Sequence, residues 1–215
     1  MNFLIFTKKV GGLPARYKDM PIVSVSLAII NTIVFIVCIF TRDLLYDMGG
    51  LSVQGVLGQQ EYGRLLWSMF LHVDTEHLFS NMIFLLFMGA MLEKETGHLC
   101  FTLVYFLSGL GGNVLSLVNK VITLNSSMSV GASGAIFGLD GLLLAMVLFS
   151  REYRNTVPPV RFMIMVALSI YDGYVIENID NAAHVGGLAV GFVTGSIYIL
   201  ARNLCQRKYK REVQI

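Results

Sequence analysis

Six stretches of this chain run for about the length of a bilayer crossing with almost no charge, and no other feature limits its fold as much. They cover residues 22–40, 77–92, 99–118, 131–149, 162–176 and 182–201. A transmembrane helix needs about 20 mostly apolar residues. The second run is short but ends sharply at Glu93-Lys94-Glu95, and the fifth is weakened by Asp172-Gly173. Only 14% of the 215 residues are charged, against about 25% in a soluble domain. The expectation is an all-α membrane protein, because a helix satisfies its backbone hydrogen bonds without water. The first run is long for a signal-peptide core, and Ile39-Phe40-Thr41-Arg42 after it offers no small-residue cleavage site. It reads as a retained helix.

Basic residues orient the spans. All but three of the 16 Lys and Arg (Arg42, Arg64 and Lys120) fall in the N-terminal arm, in the second and fourth connections, or in the tail. By the positive-inside rule those segments are cytoplasmic. Six helices then bring both termini to the cytoplasm, with a basic arm at 1–21, a membrane domain at 22–201 and a basic tail at 202–215. Helices two, four and six start on the outer side. The long first connection carries Leu65, Leu66, Trp67, Phe70 and Leu71. It is too apolar for a solvated loop and lies either in the membrane interface or packed on the bundle. Cys38, Cys100 and Cys205 are far apart and read as packing residues or bystanders. No basic, aromatic-interleaved stretch points to nucleic acid.

Polar groups inside spans are costly, so each needs a reason. His77 and Asn81 stand four apart, on one face of helix two. Ser133 opens helix four within Gly131-Ala132-Ser133-Gly134, and His184 opens helix six within Ala182-Ala183-His184-Val185-Gly186-Gly187. Any one of them has an ordinary explanation: small residues are common in membrane helices, a lone histidine is more often an interhelical hydrogen-bond partner, and a His/Asn pair can glue helices. All four, however, sit at one depth near the outer side. Gly187, Gly191 and Gly195 form a stripe on which helices approach closely, and His184 shares that face. Gly134, Gly138 and Gly141 line a face beside Ser133. If the two surfaces meet, Ser133 and His184 come within reach.

Such a pair has the parts for acyl transfer. A serine hydroxyl becomes a good nucleophile when a base takes its proton, and a neutral imidazole is that base and then the acid for the leaving amine. The tetrahedral intermediate needs donors at its oxyanion. His77, Asn81 and the Ser133 backbone N–H are placed to supply them.

At this point the chain resembles the rhomboid family of intramembrane serine proteases. The matching residues are His77-x-x-x-Asn81, Glu93-x-x-x-Gly97, Gly131-Ala132-Ser133-Gly134-Ala135-Ile136-Phe137-Gly138 and Asp180-Asn181-Ala182-Ala183-His184-Val185-Gly186-Gly187. The resemblance covers residues 64–195. It implies a six-helix bundle with a cavity opening outward, and a Ser133–His184 dyad without an aspartate. It places His77, Asn81 and the Ser133 amide in the oxyanion hole, and makes helix five and the loop after it a gate. The substrates it implies are transmembrane proteins, cut in or near their membrane helix, with no metal and no organic cofactor. Two positions depart from the family pattern. Gly63-Arg64 stands where members often carry Trp-Arg, with Trp67 three residues on. Phe137 stands where many carry a tyrosine; it keeps a face to stack on His184, so the dyad geometry is expected to survive.

Asp140 is not explained by the resemblance. It lies seven residues after Ser133, on nearly the same face and about 10 Å deeper, and is expected to be protonated or hydrogen-bonded to helix three through Asn113 or Ser116. Other functions fit less well. Tyr171-Asp172 resembles half of an aspartyl intramembrane protease pair, but Gly138-Leu139-Asp140-Gly141 has the wrong arrangement and order for the other half. No His-Glu-x-x-His suits a metalloprotease. A non-catalytic rhomboid relative usually lacks the serine or the histidine, and a transporter predicts internal repeats. The short tails argue against an appended soluble domain, and economy of length suggests a prokaryotic plasma membrane, with the active site facing the extracytoplasmic side.

Overall fold

A computed structural model describes residues 20–41, 44–154, 160, 163, 166, 167 and 179–213. The described residues form helices and no strand, apart from one isolated antiparallel bridge between Leu51 and Ser129. In chain order the helices are α1 (Ile22–Thr41), α2 (Leu44–Gly49), α3 (Arg64–Trp67), α4 (Thr75–Thr96), α5 (His98–Ile122), α6 (Ser133–Phe149), α7 (Arg151–Arg154) and α8 (Asn181–Val213). Among the described residues, α1, α4, α5 and the Asn181–Cys205 part of α8 are long and apolar enough to cross a membrane, and α6 is a shorter apolar helix. The fifth predicted span, 162–176, and the basic arm lie outside the described residues, apart from single positions.

The exposed surface of these helices is apolar. Ile33 and Ile39 on α1, Phe79 and Phe87 on α4, and Ile197 on α8 are each more than half exposed, a pattern a lipid environment accommodates and water does not. α6 is the reverse, with twelve of its residues buried. It is the central helix, clasped by α5 and α8.

Glycines make that clasp possible. A Cβ on Gly187 would stand 1.9 Å from the Gly134 carbonyl oxygen, and one on Gly191 2.0 Å from that of Gly138. One on Gly141 would meet the Leu188 carbonyl at 2.2 Å. The two predicted stripes therefore face each other, backbone to backbone. Gly97 separates α4 from α5; at φ +82° it adopts a conformation that favours glycine, and its N–H caps the Glu93 carbonyl at 2.8 Å.

Glu93 ties α1 to α4. Its fully buried carboxylate accepts hydrogen bonds from the Val23 N–H at 2.8 Å, the Ser24 N–H at 2.9 Å and the Ser24 hydroxyl at 2.7 Å. These are first-turn N–H groups of α1, which lack partners within their own helix. The first connection folds into α2, a π-helical turn at Gln54–Gly58, α3 and a 3₁₀ turn at Ser68–Phe70. One side of it is buried (Leu51, Val56, Met69, Leu71), while Leu57, Tyr62 and Trp67 are exposed. The segment thus packs on the bundle and also presents an apolar outer surface. Arg64 is buried in it, bonded to Glu61 at 2.6 Å and to the Gly50 carbonyl at 3.0 Å. The last helix does not stop at Ala201 but continues to Val213, since residues 202–213 contain no glycine or proline and are rich in good helix formers.

Candidate active site

Ser133 is the first residue of α6. Its backbone N–H belongs to the first turn, whose N–H groups have no acceptor within the helix. The segment before it is held at several points. Leu51 and Ser129 exchange two backbone hydrogen bonds of 2.9 Å each, and the Gly131 N–H donates to the Ser68 carbonyl at 2.9 Å. Ser68 is itself held by the Asn113 amide at 2.9 Å. Gly131 has φ +133°, where a side chain is strained, and a Cβ there would also stand 2.8 Å from the His77 ring. Only glycine meets both conditions.

His184 sits one turn into α8, and its Nε2 lies 2.9 Å from the Ser133 Oγ. Phe137, one turn below Ser133, stacks on the imidazole with ring centroids 4.2 Å apart and planes 12° from parallel. The other ring nitrogen, Nδ1, is buried with no hydrogen-bond partner among the described residues. Ser133, His184 and Phe137 are thus brought together. The His77 ring borders them, packed over Gly131. Asn81 is buried one turn below His77 and donates back to the His77 carbonyl at 3.0 Å. That uses one of its two amide N–H groups and leaves the other.

Two residues at the site carried no assigned role in the sequence. Asp180 caps α8: its carboxylate accepts the Ala183 N–H at 3.0 Å and the hydroxyls of Ser116 and Ser129. Burial alone would raise its pKa, but these bonds and the nearby Lys120 charge more than offset that and hold it below the usual carboxylate range. Asp180 therefore joins α5, the loop before Ser133 and the base of the His184 helix. The signal was available, since an aspartate three residues ahead of a helical N–H is a cap. Asp74 does the same for α4, accepting the His77 N–H at 2.7 Å, so α4 begins at Thr75, two residues before the predicted start. The second overlooked residue, His72, is fully buried with its ring edge-on to His77 at 5.1 Å, and Tyr46 donates to its carbonyl. Burial, followed by the neighbouring His77, lowers the His72 pKa to about 4, against the smaller raising effects of a Phe70 backbone bond and Asp74.

The expected partners of Asp140 are engaged elsewhere. Asn113 donates to the Leu65 carbonyl at 2.7 Å and to Ser68, and Ser116 donates to Asp180. Asp140 makes no hydrogen bond among the described residues. A small hydroxyl or amide on α5 bonds to whichever acceptor folds over it, and here the loops do so first. Among the described residues no three His, Cys, Asp or Glu side chains group as metal ligands would.

A bundle of apolar helices with a serine and a histidine joined near their helix starts defines a class of membrane-embedded proteins with hydrolase-like geometry. Comparison with known proteins makes the assignment specific. The family model for the Rhomboid domain matches residues 59–201, and the chain belongs to the rhomboid family. It is 40% identical over 158 residues to RHOMBOID-like protein 4 of Arabidopsis thaliana, covering 73% of this chain and 39% of that protein. Rhomboid protease GluP of Bacillus subtilis (strain 168) is 33% identical over 143 residues, 66% of this chain and 27% of that protein. Rhomboid-like protease 1 of Toxoplasma gondii is 34% identical over 157 residues, 69% of this chain and 51% of its own length. The chain thus spans about half or less of these relatives.

Proposed function

We propose that this protein is an intramembrane serine endopeptidase that hydrolyses peptide bonds in or near the transmembrane segments of membrane protein substrates. The observation that carries the reading is the 2.9 Å contact between His184 Nε2 and Ser133 Oγ. With its proton on Nδ1, His184 accepts the Ser133 hydroxyl proton as Oγ attacks the scissile carbonyl. The oxyanion forms beside the Ser133 N–H, His77 and the remaining Asn81 N–H. Losing one such donor typically costs about 3 kcal/mol of transition-state stabilisation. His184 then gives its proton to the departing amine, leaving an acyl-serine. Water, activated by the same imidazole, releases the acid and restores the serine. Among the described residues no carboxylate hydrogen-bonds to the His184 ring. The Phe137 stack and burial orient it, and the reaction calls for no metal or organic cofactor.

The proposal extends to topology: six membrane helices with both termini in the cytoplasm, a basic arm at 1–21, a membrane domain at 22–201 and a tail at 202–215. It sits in a cell membrane, with the active site open to the extracytoplasmic side. The basic residues of the second and fourth connections support this orientation. The test is cleavage of a transmembrane substrate in proteoliposomes. Ser133→Ala and His184→Ala should each abolish it while the protein still folds, and labelling by a fluorophosphonate probe should need both residues. Full activity in either variant contradicts the reading. Solute flux without proteolysis favours a transporter instead.

A further inference from the structure

One charged group in the bundle has no part in the chemistry above. Asp140 is the sole charged residue of α6. Of residues 134–147, only Asp140 and Leu144 keep part of their surface open; all the others are buried. Ser133, Asp140, Leu144 and Leu148 follow at intervals of seven, four and four, so they share one helix face. Gly134, Gly138 and Gly141 point away from that face, onto Ala183, Ser108 and Leu188. Partly open positions therefore recur down α6 at Ser133, Asp140 and Leu144, with buried Ile136 and Phe137 between the first two, on the side that α5 and α8 leave uncovered, and the one carboxyl among them is Asp140.

That carboxyl makes no hydrogen bond and faces no charge among the described residues. Two cations near the ends of α6 are already occupied: Lys120 holds Ser127 at 3.0 Å, and Arg154 reaches the Val147 carbonyl at 3.4 Å. An ionisable side chain at such a depth is costly, and those that persist in membrane proteins typically pair with one another or line a substrate path. A partner from outside the described residues would remove the cost, and a bound substrate can supply one.

We propose that Asp140 is a specificity-determining residue that pairs with a lysine or arginine in the transmembrane segment of the substrate. The inference rests on the protease reading and adds the substrate class. A basic residue near the membrane centre costs about 3 kcal/mol to insert, so the unpaired cation of the substrate and the unpaired carboxyl of the enzyme each relieve the other. A hydroxyl or amide donor could bond to the carboxylate but would leave its charge uncompensated. Asp140 lies seven residues below Ser133, about 10 Å along the helix. A substrate bound at Ser133 reaches that depth about three residues past the scissile bond if extended, or about seven if helical. The favoured cation therefore falls between the third and seventh positions on the membrane-buried side of the cut.

The experiment is a lysine scan of those five positions in a leucine-rich transmembrane substrate, cleaved in proteoliposomes by the wild-type chain and by Asp140→Asn and Asp140→Leu. At one position lysine should raise kcat/KM over leucine by about tenfold, the ratio that 1.4 kcal/mol produces. Both variants should lose that preference while cleaving the all-leucine substrate at least as well as wild type does. If no position favours lysine in the wild type, the inference is overturned without any variant having to fold. A preference that persists in both variants overturns it equally. If wild type fails to cut even the all-leucine substrate, the protease reading falls, and the specificity inference with it.

Discussion

Gly191 on α8 and Gly138 on α6 meet so closely that a Cβ on Gly191 would lie 2.0 Å from the Gly138 carbonyl oxygen. The contact is to backbone, so no side chain can rotate away. One turn towards the N-terminal ends of both helices, Gly187 and Gly134 repeat the arrangement, and beyond them His184 reaches Ser133. The short distance between the two functional groups is thus set by the absence of side chains deeper in the bundle.

Gly191→Val should therefore separate α6 from α8. Overpacking a core typically costs about 1–3 kcal/mol, and a clash with backbone belongs at the upper end. Thermal unfolding in detergent should show a lower midpoint, and substrate cleavage should fall more steeply than stability, because the His184–Ser133 contact opens too. Unchanged cleavage would mean that the glycine contact does not set the pair's geometry.

Phe137 should act through His184. The stacked pair, 4.2 Å between centroids, corresponds to an interaction worth about 0.5–1.5 kcal/mol. Phe137→Ala should lower kcat by up to about tenfold with little change in KM, since the ring orients the base and does not hold substrate. Phe137→Tyr, which keeps the aromatic face, should retain most of the rate. Equal losses in both variants would point to packing alone.

Much of this was legible in the sequence for reasons that can be stated residue by residue. Ser133, His184, His77 and Asn81 stand out because a polar group in an apolar run is expensive, and the glycine spacing gives the face on which two helices meet. What escaped depended on loops. The partners of Asn113 and Ser116 are contributed by the first connection and by the residue just before α8, segments with no periodicity to read. His72 looks like an unremarkable loop residue in the sequence; only the fold reveals that it is fully buried against His77. The continuation of α8 through its basic end was missed because apolarity, which marks the membrane span, does not mark the end of a helix.

Asp180 should behave as a positioning residue. Asp180→Asn keeps its shape but weakens its hold on Ser116, Ser129 and the Ala183 N–H. Stability should fall by about 1–3 kcal/mol, typical of an impaired buried network, and cleavage should fall with it. The pH dependence has a definite sign. A carboxyl whose pKa is lowered by folding stabilises the protein fully above its unfolded value, about 3.9, and that contribution is lost as pH falls through the lower folded value. The acid limb of a stability profile below about pH 4 should therefore be shallower in Asp180→Asn than in wild type. Superimposable profiles would remove Asp180 from this role.

His72 predicts a second pH dependence in a different window. Its folded pKa of about 4 lies below the ordinary 6.5, so the unfolded chain binds the proton more readily. Folding stability should be complete above pH 6.5, decline as pH falls and level off below pH 4. For a fully buried group a difference of that size corresponds to about 3 kcal/mol. His72→Gln has nothing to titrate at this position. Unfolding midpoints measured across the window should thus fall less in His72→Gln than in wild type. The variant should also lose cleavage activity at neutral pH, because His72 packs against His77 beside the predicted oxyanion. A variant with the wild-type slope would show that His72 takes up its proton without unfolding the chain, and the buried placement of the ring would then be wrong.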